Sequence, residues 1–173
     1  PDERCLIILR PGIVFGKNEG GNFTRLYNAM SKGIFIYPGR KDTKKAAIYV
    51  KDLVRIMIQI SKNVKPGVML YNCCYPKPHS IEEICCIIAN VTNQKKPKII
   101  IPSFIIYIFS HLIYIFSKII GKNLMGIHPD RITKLMISTN IIGEKLERDY
   151  PLKYSLEEAV YDWYLDCERK GLY

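Results

Sequence analysis

Five apolar residues, Cys5 to Leu9, follow one another without a break, and the run then meets Arg10 and Pro11. So short and continuous a run reads as a strand covered on both faces, as in a parallel sheet. From Asn22 the pattern changes: NFTRLYNAMSKG spaces its apolar residues for a helix, and Gly33 closes it. IFIYPG then gives a short strand and a turn, and AAIYV a further strand leading into KDLVRIMIQISKN. There Leu53, Val54, Ile56, Met57, Ile58 and Ile60 line a broad helical face. GVMLYN, residues 67–72, reads as another strand. Ser80 and Glu83 make a capping box before the helix through ICCIIANV. The same device recurs at Ser155 and Glu158, opening a last helix that Gly171 closes.

Strands alternating with helices predict an α/β protein. Beyond residue 100 the segments are mostly helical, which adds a small α-rich lobe. No internal repeat and no low-complexity linker divides the chain. At 173 residues it is long enough to bury a core as one domain, or as two small ones.

Residues 99–121, IIIPSFIIYIFSHLIYIFSKIIG, stand apart from the rest. Pro102 suits a strand end, and Ser103 caps a helix running to Ile120. That helix is apolar in nearly every direction, with Ser110, His111 and Ser117 as a thin polar exception. Its length, about 27 Å at the α-helical rise, approaches the thickness of a bilayer core. Three placements satisfy it: burial against the protein or a second subunit, docking on a membrane surface, or a membrane span. A span would divide the flanking segments, which look like parts of one fold. Lys98, Lys118 and Lys122 bracket the run and suit anionic head groups if it lies on a membrane.

Charge narrows the partners. Lys and Arg number 26 against 16 Asp and Glu, a formal charge of +10. An excess of that size suits nucleic acid, phosphorylated metabolites or an anionic membrane surface, or else a lysine-rich solvent face. The cations are scattered, with no basic stripe interleaved with aromatics, so nucleic acid is the poorest fit. The six cysteines include two adjacent pairs but no C-x-x-C, which excludes the usual zinc spacings. Their apolar surroundings make them core thiols and point to a reducing, cytoplasmic compartment.

Taken in order, ILRPGIVFG, GGNFTRLYNAMSKG, AAIYVKDLVRIMIQI, GVMLYN and SIEEICCIIANV resemble the carboxy-terminal half of an NAD-dependent sugar-nucleotide epimerase/dehydratase, an extended short-chain dehydrogenase. The closing DRITKLMISTNIIGEKLERDYPLKYSLEEAVYDWY is similar to the last segment of that family. The resemblance implies that LIILRP is the sixth strand of a Rossmann-like parallel sheet. Residues 1–72 would then hold the last sheet strands with interleaved substrate-binding segments, and 73–173 a mainly helical substrate-binding lobe, as one partial domain. The glycine-rich pyrophosphate turn and the catalytic Tyr-x-x-x-Lys pair of the family belong upstream of this sequence. Neither GxxGxxG nor GxGxxG occurs in it. Tyr37 to Lys41 matches Tyr-x-x-x-Lys but contains Pro-Gly, and Tyr114 to Lys118 lies in the apolar helix, so neither is assigned a catalytic role.

By the same resemblance, Pro11, Gly12 and Ile13 lie against the nicotinamide of NAD, at the carboxyl edge where open α/β sheets bind ligands. The rival reading is that Pro11 and Gly12 only turn the chain. Ile13 stands where many members carry a polar residue such as asparagine. Asn22 matches a residue that binds the substrate diphosphate, or is simply a helix N-cap. Tyr37 lies near the nucleotide base, or packs in the core. Lys45 falls where the family often has a diphosphate-gripping arginine, and lysine lacks the bidentate fork. Arg40, Lys41 and Lys44 are its cationic neighbours. Arg131 approximates a second diphosphate cation, with an exposed helix charge as the alternative. Asp52 reads as a helix-start carboxylate that caps and faces the dipole.

The function implied is the substrate-binding half of an NAD-dependent sugar-nucleotide epimerase in surface-polysaccharide synthesis, acting at C4 by transient oxidation. The substrate would be a nucleotide-diphosphate sugar or a polyprenyl-diphosphate sugar. A homodimer and peripheral contact through 103–120 at the cytoplasmic face of the inner membrane accompany it. A 4-keto reductase or dehydratase of the same family, and a non-catalytic partner-binding module, are the alternatives.

Overall fold

The computed structural model describes residues 4–109 and 136–168. In chain order the first elements are β1 (Cys5–Pro11), β2 (Ile13–Phe15), α1 (Asn22–Ser31), β3 (Tyr37–Pro38), β4 (Lys44–Lys45), β5 (Ala47–Tyr49) and α2 (Val50–Lys62). After them come β6 (Gly67–Cys73), β7 (His79–Ser80), α3 (Ile81–Val91), β8 (Ile100–Ile101), α4 (Glu144–Asp149) and α5 (Leu156–Glu168). Residues 103–109 are helical, and the remainder of the expected helix 103–120 lies outside the described residues.

The protein is α/β, as its alternating pattern predicts. β1 pairs in parallel with β6 from Cys5 opposite Gly67 to Pro11 opposite Cys73. β2 pairs in parallel with β5, Ile13 opposite Ala47 and Phe15 opposite Tyr49. β3 and β8 make a third parallel pair, whereas β4 and β7 run antiparallel.

The unbroken apolar character of AAIYV has a direct cause, because side chains alternate faces along a strand. Ala47 and Tyr49 join Phe15 in one core, with Phe23, Ile84, Ile88 and Trp163. Ile48 faces the opposite way into a second core with Ile56, Ile60, Tyr71, Cys73 and Leu146. The β2–β5 ribbon is therefore the wall between two cores, and every position on β5 must be apolar. Phe15 stacks on Phe23 with ring centroids 4.1 Å apart, which fixes α1 against this wall.

β1 departs from its expected double cover. Ile7 and Leu9 pack into the second core with Met69 and Tyr71. Leu6 and its partner Val68 face the other way, 54% and 71% exposed. One face of this parallel pair thus lacks a covering layer among the described residues. The apolar band of α2 divides similarly: Ile56 and Ile60 are buried, while Val54, Met57 and Ile58 are about half exposed.

Both capping boxes form. Ser80 Oγ accepts from Glu83 N at 3.1 Å and the Glu83 carboxylate accepts from Ser80 N at 2.6 Å. Ser155 and Glu158 exchange the same two bonds at 3.3 and 2.8 Å. Gly33 follows α1 at φ +66°, the left-handed conformation that ends helices.

Asp52 differs from its expected capping role. It lies inside the first turn of α2 and is 1% exposed, and its side chain caps nothing there. Instead Oδ1 accepts from Lys153 N at 2.9 Å and Oδ2 from Tyr154 N at 3.1 Å, while Arg55 Nη2 pairs with Oδ1 at 2.9 Å. A buried carboxylate holding two backbone N–H groups a hundred residues away fastens the approach to α5 onto α2. A second clasp acts further along: Lys51 Nζ lies 2.7 Å from both Asp162 and Asp166, and the Tyr49 hydroxyl donates to Asp162 at 2.7 Å.

Asp52→Ala removes the carboxylate partner of Arg55 and leaves two N–H donors unpaired, and urea unfolding should register a loss of about 3 kcal/mol. Asp52→Asn keeps one acceptor and should lose about 1–2 kcal/mol. Equal stability of Asp52→Ala and the wild type would contradict this assignment.

Candidate functional site

The strand ends define the site. β1 stops at Pro11, opposite Cys73 at the end of β6. Gly12 N then donates to Cys73 O at 3.0 Å, and Ile13 N to Ala46 O at 2.8 Å. Within two residues the chain leaves one parallel partner and joins another. The carboxyl ends of β1 and β6, the edge at which open α/β sheets bind ligands, therefore adjoin the Lys45–Ala46 segment and the amino ends of β2 and β5 at one point.

Gly12 is required there for space. A methyl group on it would lie 2.7 Å from Ala46 O, closer than packed atoms tolerate. Pro11 is exposed and Ile13 half-buried, and Ile13 packs against the first core. These three residues line the edge together.

Lys45 adjoins them but points inward. It is 9% exposed and its Nζ donates to Ile137 O at 2.8 Å. Burial pulls its ammonium below the usual lysine range. Around it the cations are partly matched: Lys44 Nζ is 3.6 Å from Glu83, Lys41 is 3.1 Å from Glu82, and Arg40 is 3.4 Å from Asp42. Ser138 ties this loop down, its Oγ accepting from Lys44 N and from Arg40 Nη2 at 3.1 Å each. Thr139 N donates to Lys44 O at 2.8 Å, so the chain after residue 136 runs beside β4. Arg131 itself lies outside the described residues.

Two further side chains belong to this place and were not anticipated. Lys45 is registered opposite His79, and Ile81 N bonds to Thr43 O, so Thr43, Lys45 and His79 share one face of the β4–β7 ribbon. Thr43 Oγ1 and His79 Nδ1 are buried there, with no hydrogen-bond partner among the described residues. Unmatched buried polar atoms beside an ammonium suit a polar, anionic ligand better than an apolar one. Only the antiparallel pairing brings Thr43 and His79 together, and no local pattern announces it. Burial lowers His79 below the ordinary histidine range, with Glu83 opposing and Lys44 reinforcing the shift.

Asn22 and Tyr37 are placed differently. Asn22 is exposed in the first turn of α1, beyond the carboxyl end of β2, whereas Lys45 lies at the amino end of β5. Its N-cap reading does not hold. Glu19 performs that task, its carboxylate accepting from Gly21 N at 2.8 Å, Phe23 N at 3.1 Å and Thr24 Oγ1 at 2.6 Å. Two amides that a phosphate would use are thereby already engaged, which leaves the Asn22 side chain, not the helix end, as the polar group on offer. Tyr37 is 1% exposed, and its ring meets Phe35 edge-on at 5.2 Å. Burial and the adjoining Cys85 raise its hydroxyl well above the ordinary tyrosine value. Lys41, the partner in the Tyr-x-x-x-Lys match, lies 5.3 Å above the ring, and Gly39 between them has φ +79°, so no helix aligns the two.

No protein-family model matches the sequence. The chain is 26% identical over 161 residues to a curated Escherichia coli O157:H7 protein, N-acetyl-α-D-glucosaminyl-diphospho-ditrans,octacis-undecaprenol 4-epimerase, covering 92% of this chain and 48% of that one. Among solved structures it superposes on UDP-N-acetylglucosamine 4-epimerase from Bacillus cereus with a TM-score of 0.62, at 16% identity, covering 93% of this chain and 46% of the other. MoeE5, in complex with UDP-glucuronic acid and NAD, superposes with a TM-score of 0.62 at 15% identity, covering 96% and 48%. The sequence relative and the Bacillus cereus neighbour are both 4-epimerases, and the chain shares the fold of part of such proteins. Proteins of this fold were solved with NAD, as in MoeE5, or with NADPH, as in human SDR39U1. The chain spans about half the length of the relatives it matches, as a carboxy-terminal portion does.

Two outcomes test this geometry. Gly12→Ala forces the Ala46 carbonyl aside and should lower stability by about 1–3 kcal/mol in urea unfolding. His79 supplies a pH signature. Its imidazole resists protonation when folded, so unfolding is favoured once the unfolded-state histidine charges, below about pH 6.5. Melting temperature should fall from pH 7.5 to pH 5, and His79→Gln should flatten that fall. Parallel pH profiles for the two proteins would contradict it.

Proposed function

We propose that this chain is the substrate-binding half of an NAD-dependent sugar-nucleotide 4-epimerase that serves surface-polysaccharide synthesis. The observation that carries the reading is the crossing at Pro11–Ile13, where the carboxyl ends of β1 and β6 meet Ala46, the neighbour of Lys45. The similarity to an epimerase of an undecaprenol-linked sugar supports the substrate class, a nucleotide-diphosphate or polyprenyl-diphosphate sugar. In this reading the enzyme works in the cytoplasm, at the inner face of the membrane. It forms a homodimer and touches the bilayer through 103–120.

The residues divide the work by chemistry. Lys45 and Arg131 neutralise the diphosphate, and Asn22, beyond the opposite end of the β2–β5 pair, offers an amide donor to another part of the substrate. Thr43 and His79 accept or donate the remaining polar contacts beside Lys45. Tyr37 is buried, so it shapes the nucleotide side of the cleft through its ring and leaves its hydroxyl with Cys85. Pro11, Gly12 and Ile13 form one wall for the nicotinamide, and Gly12 lets that wall approach closely. NAD, when bound, supplies the hydride acceptor and donor at the sugar carbon. The sequence carries no glycine-rich pyrophosphate turn, so no step through NAD is assigned to these residues.

A second reading, a non-catalytic partner-binding module, is favoured by the burial of Tyr37. Titration separates the two. The chain should bind UDP-N-acetylglucosamine while showing negligible affinity for NAD, and Lys45→Gln should weaken the sugar nucleotide about tenfold or more. NMR or calorimetric titration that finds no sugar-nucleotide binding, or equal binding by Lys45→Gln, would favour the module.

A further inference from the structure

Away from the strand-end site, one apolar surface is assembled from three separate segments. Pairing of β3 with β8 sets Tyr37 opposite Ile100, and Tyr37 N donates to Ile99 O at 2.9 Å. One residue back in that register, Ile36 lies beside Ile99, and both are turned outward. Ile34 precedes them, 65% exposed. The helical residues 103–109 follow β8 directly, and Phe104, Tyr107 and Ile108, at helical i, i+3 and i+4 spacing, are each more than half exposed. A surface this rich in large apolar side chains normally has an occupant.

Its rim indicates which occupant. Lys32 lies two residues before Ile34, and Lys95, Lys96 and Lys98 lead into Ile99, all four exposed. No Asp or Glu occurs between residues 20 and 41, or between 84 and 109. An apolar face collared by lysines and free of carboxylates matches an anionic bilayer, whose acyl boundary takes the apolar groups and whose phosphates take the ammonium groups. A second copy of the chain would bring like charges together at the same rim. Among the described residues no helix is long and apolar enough to cross a membrane.

We infer that Ile34, Ile36, Ile99, Phe104 and Ile108, ringed by Lys32, Lys95, Lys96 and Lys98, form a docking face for the anionic lipid surface of a bilayer. This deepens the membrane contact proposed above and rests on that reading. It moves much of the contact outside 103–120, onto the β3–β8 pair and its lysines.

Vesicle flotation of the full chain tests it. The protein should float with phosphatidylglycerol–phosphatidylethanolamine vesicles at low salt, and not with pure phosphatidylcholine. Lys95→Gln/Lys96→Gln/Lys98→Gln should lower partitioning about a hundredfold, at roughly fivefold per lysine. Ile36→Ser/Ile99→Ser should lower it comparably, with an unchanged circular dichroism melt. Val54→Ser/Ile58→Ser, on the exposed side of α2, should leave it unchanged. Failure of the wild type to float, equal flotation by the lysine variant, or equal loss in the α2 variant would each overturn the proposal. So would dimerisation in solution that Ile36→Ser/Ile99→Ser abolishes, since a second copy would then hold the face. Titration with UDP-N-acetylglucosamine keeps the two readings apart. Flotation without sugar-nucleotide binding overturns the functional reading alone, and sugar-nucleotide binding without flotation overturns the docking face alone.

Discussion

Everything at the strand-end site depends on a backbone crossing with no room for a side chain. At Gly12 the chain closes its ladder with β6 and opens another with the β5 segment, using consecutive N–H groups for two different carbonyls. Parallel strands gain their hydrogen bonds only from non-local partners, so this switch is also where distant parts of the sequence are brought into register. Cys73, Ala46 and Pro11 become neighbours because of it. A bulkier residue would not simply lose a contact. It would push apart two strand pairs whose ends make the edge.

The second structural requirement is closure of the carboxy-terminal helix over that frame. Asp52 holds the backbone at Lys153 and Tyr154, and Lys51 holds Asp162 and Asp166 further along α5. These ties differ in kind. The Asp52 bonds are buried and directional, whereas the Lys51 pairs are partly exposed and contribute less in salt. Lys17, whose Nζ donates to Asp166 O at 2.6 Å, extends the tie to the loop between β2 and α1. The loop carrying Glu19 is thus held at its start by the β2 strand and by α5.

Much of the fold was legible because its signals are local. Capping boxes at Ser80 and Ser155, Gly33 after α1, and the continuous apolar β5 each follow from a few adjacent residues. The order of such segments also carried the family resemblance. What could not be read was set by partners distant in sequence. Glu19 displaced Asn22 as the cap because its carboxylate curls back over the first turn, which spacing alone does not show. Asp52 looked like a capping residue because it opens a helix, yet its ligands lie a hundred positions on. Lys45 and Tyr37 were read as ligand contacts by position. The structure turns Lys45 inward onto Ile137 O, and it buries Tyr37. Thr43 and His79 carried no signal until an antiparallel pair put them beside Lys45. The expected double cover of β1 failed on the face of Leu6 and Val68, because an apolar run reveals the need for cover, not its source.

The thiols carry a consequence of their own. Cys73, Cys74 and Cys85 are buried, and burial pushes Cys85 up to about 12 and Cys74 to about 11. A neutral, enclosed thiol reacts with alkylating reagents only when its surroundings part. Cys73 sits at the strand crossing and Cys85 on α3 beside the Tyr37 hydroxyl, so the two report on different regions. The rates at which they acquire a label would therefore show whether the sheet edge and the helical lobe breathe together or apart.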